Sequence, residues 1–410
     1  MSDVTSHGAA VPRAEPFSAT RALFDLPADT VYLNGNSLGP LTHAARQRVA
    51  EVVASEWGQH LIGGWNECGW IDLPRQAGDR IAALVGAPEG SVAVCDSTSV
   101  NLFKVLSAAL RMRPEHRVVL SDAGNFPTDL YVAQELLAGL GDGYELRVVA
   151  PEEVADAIDE RVAALMLTEV DYRTARVHDM GDLTRRAHEA GALAVWDLAH
   201  SAGAIPVDLA GSGADFAVGC SYKYLNGGPG APAFVYVRPE HAEETRSALA
   251  GWMGHEAPFA FDLDYRPAPG VQRMLVGTPP VLAMAALDAA LAVWEGVDLA
   301  EVRARSIELS ETFIAEAEAR CPGLELASPR DAAARGSHVS FRFEHGYAAM
   351  QALIERGVIG DFRTPDLMRF GFAPLYLSLD DVLRAAEELE TVLRDRLWDD
   401  PRFAARLKVT

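Results

Sequence analysis

The chain has 410 residues, 49% of them hydrophobic and 23% charged, with 34 glycines and 23 prolines spread along it. That composition excludes collagen, coiled coil and wholesale disorder, and the length allows two domains around a large core. With 36 Lys and Arg against 58 Asp and Glu the formal net charge is -22, so the surface repels polyanions and argues against nucleic acid and anionic membranes as partners.

In chain order, residues 1–16 lack the basic and apolar succession of a secretory signal, and no uninterrupted run of 18 apolar residues occurs. Short apolar runs at 91–95, 117–120, 145–149, 163–167, 192–196, 216–219 and 233–237 have strand length, and helical patterns at 101–110, 128–139 and 182–190 read as crossovers. This alternation predicts an α/β fold with a mostly parallel sheet and helices on both faces. After Pro279-Pro280 come long Ala- and Leu-rich helical patterns at 281–294 and 299–320, strands near 338–343 and a last helix from Asp380, which read as a smaller α+β domain. The expected division is an arm over 1–30, a large domain over 31–278 and a small C-terminal domain over 279–410. The four cysteines, Cys68, Cys95, Cys220 and Cys321, show no C-x-x-C or Cys/His metal spacing, which fits a reducing cytoplasm and no bound metal.

Ligands of open parallel sheets sit at the carboxyl ends of the strands. Those positions carry Ser97-Thr98-Ser99, Thr168-Glu169, Asp197-Leu198-Ala199-His200 and Ser221-Tyr222-Lys223. The chain has 33 arginines but only three lysines, Lys104, Lys223 and Lys408. Lys104 falls in a helical pattern where a solvated salt bridge is expected, and Lys408 is two residues from the C-terminus. Lys223 instead follows a strand and precedes Asn226-Gly227-Gly228-Pro229-Gly230. An ε-amine forms a Schiff base with an aldehyde, which a guanidinium cannot, so Lys223 is a candidate covalent anchor; otherwise it is a surface lysine in a Gly-rich loop.

Asp197, at the end of an apolar run, needs a cationic partner, and a pyridinium nitrogen would serve; the alternative is a helix cap. His200 could orient that carboxylate or contact a cofactor, or be structural. Thr98 and Ser99 open a helical pattern, which makes a phosphate site or an ordinary cap. Phe126 could cover a flat ring and Asp129 could bond within the site, or the two could form a staple and cap.

An Asp-x-x-His segment 26 residues ahead of the lysine in Ser-Tyr-Lys-Tyr-Leu-Asn resembles the fold-type I pyridoxal-phosphate enzymes, and the detail is similar to the kynureninase family. The motifs that carry the resemblance run from Tyr32-Leu33-Asn34-Gly35-Asn36-Ser37-Leu38-Gly39 through Phe126-Pro127-Thr128-Asp129 and Gly251-Trp252-Met253-Gly254-His255 to Arg369-Phe370-Gly371-Phe372. The resemblance implies pyridoxal 5'-phosphate bound covalently by Lys223, with Asp197 on the ring nitrogen, Phe126 stacked on the ring, and Asp129, Thr168 and His200 around it. It implies a phosphate held by Thr98, Ser99 and Tyr222 of one subunit and by Trp252 and Thr278 of the partner in a homodimer. Arg369 would grip the substrate α-carboxylate, and Trp65, Ser37 and Thr278 would surround the aryl group. The implied reaction is hydrolysis of L-kynurenine, with 3-hydroxykynurenine as a possible second substrate, to anthranilate and L-alanine, with Tyr222 as the acid that protonates the remaining carbanion. The alternatives are an aminotransferase or cysteine desulfurase-like lyase of the same fold, or a cofactor-binding scaffold without activity. A desulfurase needs a mobile nucleophilic cysteine, and Cys321, before Pro322-Gly323 at a helix end, is poorly placed for that.

Overall fold

The computed structural model describes residues 17–403 and 405. Lys408 therefore lies outside the described residues, as does most of the expected N-terminal arm. All seven expected strands form, and they join one sheet. Numbering strands in chain order, β1 is Val31–Tyr32, and the sheet contains β2 (Val92–Val94), β3 (Val118–Asp122), β4 (Glu145–Val149), β5 (Val162–Thr168), β6 (Leu193–Asp197), β7 (Phe216–Gly219) and β8 (Phe234–Val237) in the order β2-β8-β7-β6-β5-β3-β4. The pairs from β7 to β4 are parallel, and β8 runs antiparallel to both β7 and β2. Continuous burial along β5, β6 and β7 explains why these segments are unbroken apolar runs: helices cover both faces, so neither face can be polar.

The crossover helices are Thr98–Met112, Pro127–Leu140 and Met180–Glu189, each within three residues of its expected bounds. Ser97 and Asp179 cap two of them with side-chain oxygens, and Pro127 opens the third at the position where a missing N–H costs nothing. Lys104 corrects the expectation of a solvated residue. Its side chain is fully buried, and its ammonium donates to Asp96 Oδ2 at 2.8 Å and to the Met274 carbonyl at 2.6 Å, so it ties the helix to the loop ahead of it.

C-terminal to the long helix Leu299–Arg320, a second sheet has the order β12-β13-β10-β9, with β9 Glu325–Leu326, β10 His338–Arg342, β12 Asp361–Arg363 and β13 Leu367–Gly371, all antiparallel. Phe313 of that helix packs its ring against Phe341, Phe370 and Phe372, which fixes one face of this sheet in the core. The opposite face is polar. Register places Asp361 across from Arg369 and Arg369 across from Ser340, while His338 and Gly371 face each other one pleat further on. Alternation therefore puts His338, Ser340, Asp361, Arg363 and Arg369 on one surface.

The N-terminal segment joins the two sheets. β1 pairs in parallel with β11 (Val358–Ile359), and the Gly39 N–H donates to the Tyr222 carbonyl at 2.7 Å. A Cβ on Gly39 would lie 2.3 Å from the Lys223 carbonyl oxygen and 2.4 Å from Asn226 Oδ1. Gly39→Ala should thus push the lysine loop out of place, at a cost of about 1–3 kcal/mol for overpacking. Thermal unfolding and pyridoxal-phosphate titration together check this: both stability and cofactor affinity should fall, and unchanged values of both would contradict the close approach.

Candidate active site

The site is assembled at the carboxyl ends of β5, β6 and β7. Asp197 is the last residue of β6, and one of its carboxylate oxygens accepts from the Ala199 N–H at 2.7 Å. The turn that follows carries His200 back under the loop after β7. There Lys223 Nζ lies 3.0 Å from His200 Nε2. Thr168 ends β5 and its hydroxyl donates to Asn125 Oδ1, which also accepts from the Phe126 N–H at 2.8 Å. Asn125 thereby fixes the start of the helix that carries Asp129. Phe126 is 44% exposed, and its ring meets Tyr172 edge-on with centroids 5.1 Å apart.

Electrostatics set this cluster apart from a structural ion pair. Asp129 and Asp197 are buried together, and burial raises both carboxyls above their ordinary range. The charge of Asp197 pushes Asp129 up further, well above the usual value, whereas the charge of Lys223 and the Ala199 N–H pull Asp197 back down. Asp129 is thus the carboxyl that retains a proton. His200 moves the other way: burial, then the charges of Lys223 and Arg369, hold it well below its ordinary value, so its ring is neutral and Nε2 can accept from the amine. Burial and the neighbouring Cys220 raise the Tyr222 phenol, with Cys220 the larger effect, and this keeps it protonated. Buried Asp129 Oδ2 and His200 Nδ1 have no hydrogen-bond partner. A flat heteroaromatic ring with a protonatable nitrogen and a polar rim fits such a set: an amine to bind an aldehyde, a carboxylate to hold the ring N–H, and unpaired polar atoms beside it.

Thr98 and Ser99 are the first two residues of the 15-residue helix Thr98–Met112, half-buried, with backbone N–H groups at the positive end of the helix dipole. Ser37, Asp361, Arg363 and Arg369 meet above the site. Arg369 forks onto Asp361, Nε to Oδ1 at 2.7 Å and Nη2 to Oδ2 at 2.5 Å, and donates to Ser37 Oγ at 2.8 Å and to the Tyr172 carbonyl. Burial alone would raise the Asp361 carboxyl, but Arg369 and Arg363 outweigh it and hold the group at about 2.

Three of the sequence candidates stand apart within one chain. Trp65 packs edge-on against Trp70 at 6.0 Å, Trp252 packs edge-on against Phe259 at 5.7 Å, and Thr278 is exposed. Among the described residues none of the three makes a hydrogen bond or ring contact with the Lys223 cluster. The sequence reading missed Asn125, Tyr172, His338, Asp361 and Arg363. A signal was present for His338 alone, since polar residues at alternate positions of the strand His338–Arg342 mark one face of a sheet.

Comparison with known proteins agrees with this geometry. Kynureninases of Burkholderia pseudomallei (strain 1106a) and of Pseudomonas fluorescens are each 49% identical to the chain over 408 residues, covering 98% of both chains. The chain belongs to the kynureninase family. The family model described as the kynureninase C-terminal domain matches residues 302–389. In fold the kynureninase-family chain is similar to a cysteine desulfurase of Escherichia coli (TM-score 0.76, 21% identity, 93% of this chain and 99% of that one). It is also similar to a C-DES mutant with glycine covalently linked to its PLP cofactor (TM-score 0.78, 18% identity, 90% and 98%). The protein is therefore a fold-type I, α/β enzyme. The desulfurase likeness extends to fold alone, and three of the four cysteines, Cys95, Cys220 and Cys321, are buried, with burial pushing the Cys321 thiol up to about 11.

Glu169, next to Thr168, is buried with one oxygen unpartnered, and burial raises its carboxyl from 4.5 to about 7. A group that binds its proton more tightly when folded stabilises the fold at low pH, and that contribution is lost as pH rises from about 4.5 to 7. Glu169→Gln should therefore gain on wild type by up to about 3 kcal/mol between pH 4.5 and pH 8. Denaturant unfolding at the two pH values checks this, and an equal difference at both would contradict it.

Proposed function

We propose that this chain hydrolyses L-kynurenine to anthranilate and L-alanine with pyridoxal 5'-phosphate as cofactor. The observation that carries the reading is the meeting of Lys223, His200, Asp197 and Asp129 at the sheet's carboxyl edge in a chain 49% identical to kynureninases along 98% of its length. Bound there, the cofactor supplies an electron sink for negative charge developing next to the substrate amine.

Lys223 anchors the cofactor covalently and, once the substrate amine takes its place, takes the proton from the substrate Cα and returns one to Cα before alanine leaves. Asp197 holds the proton on the ring nitrogen. Phe126 covers the ring, Asp129, Thr168 and His200 orient it, and Thr98, Ser99 and Tyr222 hold the phosphate. Water adds to the γ-ketone, the Cβ–Cγ bond breaks, and anthranilate leaves. Tyr222, protonated for the reasons above, returns a proton to Cβ. The anionic end of the substrate is directed to the surface of the second sheet that carries Asp361, Arg363 and Arg369.

The finer reading is a cytoplasmic homodimer that acts in the breakdown of tryptophan-derived kynurenine, with 31–278 as the large domain and 279–410 as the small one. Trp252 and Thr278 reach the phosphate from the partner subunit, and Trp65, Ser37 and Thr278 surround the aryl ring. The dimer is supported by strongly exposed apolar side chains in two places along the chain, Leu61 with Ile62 and Phe261 with Leu263, which a second copy would cover. Among the described residues no helix is long and apolar enough to cross a membrane.

The direct test is release of fluorescent anthranilate from L-kynurenine by the purified holoenzyme, and absence of release would overturn the proposal. A second test isolates Tyr222. If its phenol acts only after Cβ–Cγ cleavage, Tyr222→Phe should retain a rapid first-turnover burst of anthranilate while steady-state alanine formation falls about 10²–10⁴-fold. Rapid-quench measurement of both products checks this, and slow, simultaneous appearance of the two at saturating cofactor would place Tyr222 before or within cleavage.

A further inference from the structure

Lys104 lies in the second turn of the helix Thr98–Met112 with its side chain fully buried. Side chains on a helix lean toward its N-terminus, so this lysine can reach back to the residue ahead of the cap. Its ammonium has three donors and meets three acceptors: Asp96 Oδ2 at 2.8 Å, the Met274 carbonyl at 2.6 Å and Cys95 Sγ at 3.4 Å. Burial is the main effect on the Cys95 thiol and raises it, so the sulfur is neutral. Among the described residues, Asp96 is therefore the one anion bonded to this cation.

Asp96 occupies an unusual place. Its φ is 50°, in the left-handed region where glycine is ordinarily used, and its carbonyl accepts from the Ala233 N–H at 2.9 Å, which pins the turn to the neighbouring strand. Glycine would make this turn without strain, so the carboxylate is an addition to it. That carboxylate is 28% exposed. It comes directly before the cap residue Ser97 and two positions before Thr98, where the proposed function seats the cofactor phosphate. Two residues span at most about 7 Å, inside the Debye length of about 8 Å at physiological salt. A phosphate monoester carries about -1.5 to -2 charges at neutral pH, and an unpaired carboxylate at that range would repel it. Bonded to Lys104, the pair is neutral, and the loop presents its N–H groups and hydroxyls without an opposing charge. The bond to Met274 ties the same ammonium to the segment Gly270–Met274, four residues ahead of Thr278.

We propose that Lys104 is a positioning residue for the cofactor phosphate: from behind the helix start it neutralises Asp96 and fixes the loop that leads into Thr98 and Ser99. This rests on the pyridoxal-phosphate reading and deepens it, since neither Lys104 nor Asp96 is among the residues expected to touch the cofactor.

The test compares binding of pyridoxal 5'-phosphate with binding of pyridoxal, which has the same ring and aldehyde but no phosphate. Each is titrated into the cofactor-free full-length chain and followed by the absorption band of the Lys223 adduct. At an effective dielectric constant near 20, one unpaired charge at this range is worth roughly ten- to a hundredfold in affinity. Lys104→Met should therefore raise the Kd of pyridoxal 5'-phosphate by that factor and change the Kd of pyridoxal less than threefold. Lys104→Gln, which keeps a donor for the Met274 carbonyl and removes only the charge, should do the same and carries the test should the methionine variant not fold. Adding Asp96→Asn to either variant removes the repelling charge and should bring the preference for the phosphorylated compound back to within about fivefold of wild type. An equal loss on both compounds would show that Lys104 only braces the fold and would overturn the proposal, as would a double variant no better than the single one. A wild-type chain that binds pyridoxal as tightly as its phosphate is a separate result, seen before any variant is made, and removes the reading underneath.

Discussion

The burial of two neighbouring carboxyls, Asp129 and Asp197, beside one amine is the constraint on which the rest of the site depends. Burial shifts both groups toward the protonated form, and Lys223, the Ala199 N–H and a hydrogen bond from Asp129 draw Asp197 back. Such a pair is a poor way to stabilise a fold, because each charge removed from water costs several kcal/mol unless matched. It is a good way to receive a cation. A protonated pyridine nitrogen beside Asp197 would supply the missing positive charge, and the neutral ring of His200 leaves the Lys223 amine with an acceptor rather than a competing cation.

The fold exists to bring these groups to one edge. Parallel strands β5, β6 and β7 end at the same level, so Thr168, Asp197 and the loop bearing Lys223 are neighbours although they are separated in the chain by tens of residues. The second sheet closes the site from above by presenting a polar face of His338, Ser340, Asp361, Arg363 and Arg369, with its other face anchored on Phe313. Ser37 links the two halves. Its hydroxyl contacts Asp361, Arg363 and Arg369, and two residues later Gly39 lies against the Lys223 backbone. The second sheet and the lysine loop thus meet the same short segment, Ser37 to Gly39.

The parts of this arrangement that are legible in sequence are those with strong local signals. Apolar runs such as 162–168 and 193–197 announce buried strands, and a rare lysine amid arginines, after a strand and before a Gly-rich turn, marks Lys223. Lys104 shows where the same logic fails: helical spacing does not say which face is covered, and this lysine proved to be fully buried on Asp96. β11, β12 and β13 are two to five residues long, too short for periodicity to declare, so Asp361 and Arg363 emerged only once register set them beside Arg369. Asn125 and Tyr172 act through a side-chain amide and a backbone carbonyl, roles that residue type does not reveal. The likeness in fold to cysteine desulfurases adds the complementary lesson, since chains that share this fold need not share an activity.

The claim on which the account stands is that Lys223 is the covalent seat of the cofactor. Borohydride reduction of the pyridoxal-phosphate-loaded protein, followed by proteolysis and mass mapping, reads this directly. The account predicts one pyridoxyl group per chain, on the peptide containing Ser221-Tyr222-Lys223. A label on the buried Lys104 or on Lys408, or no covalent label at all, would contradict it.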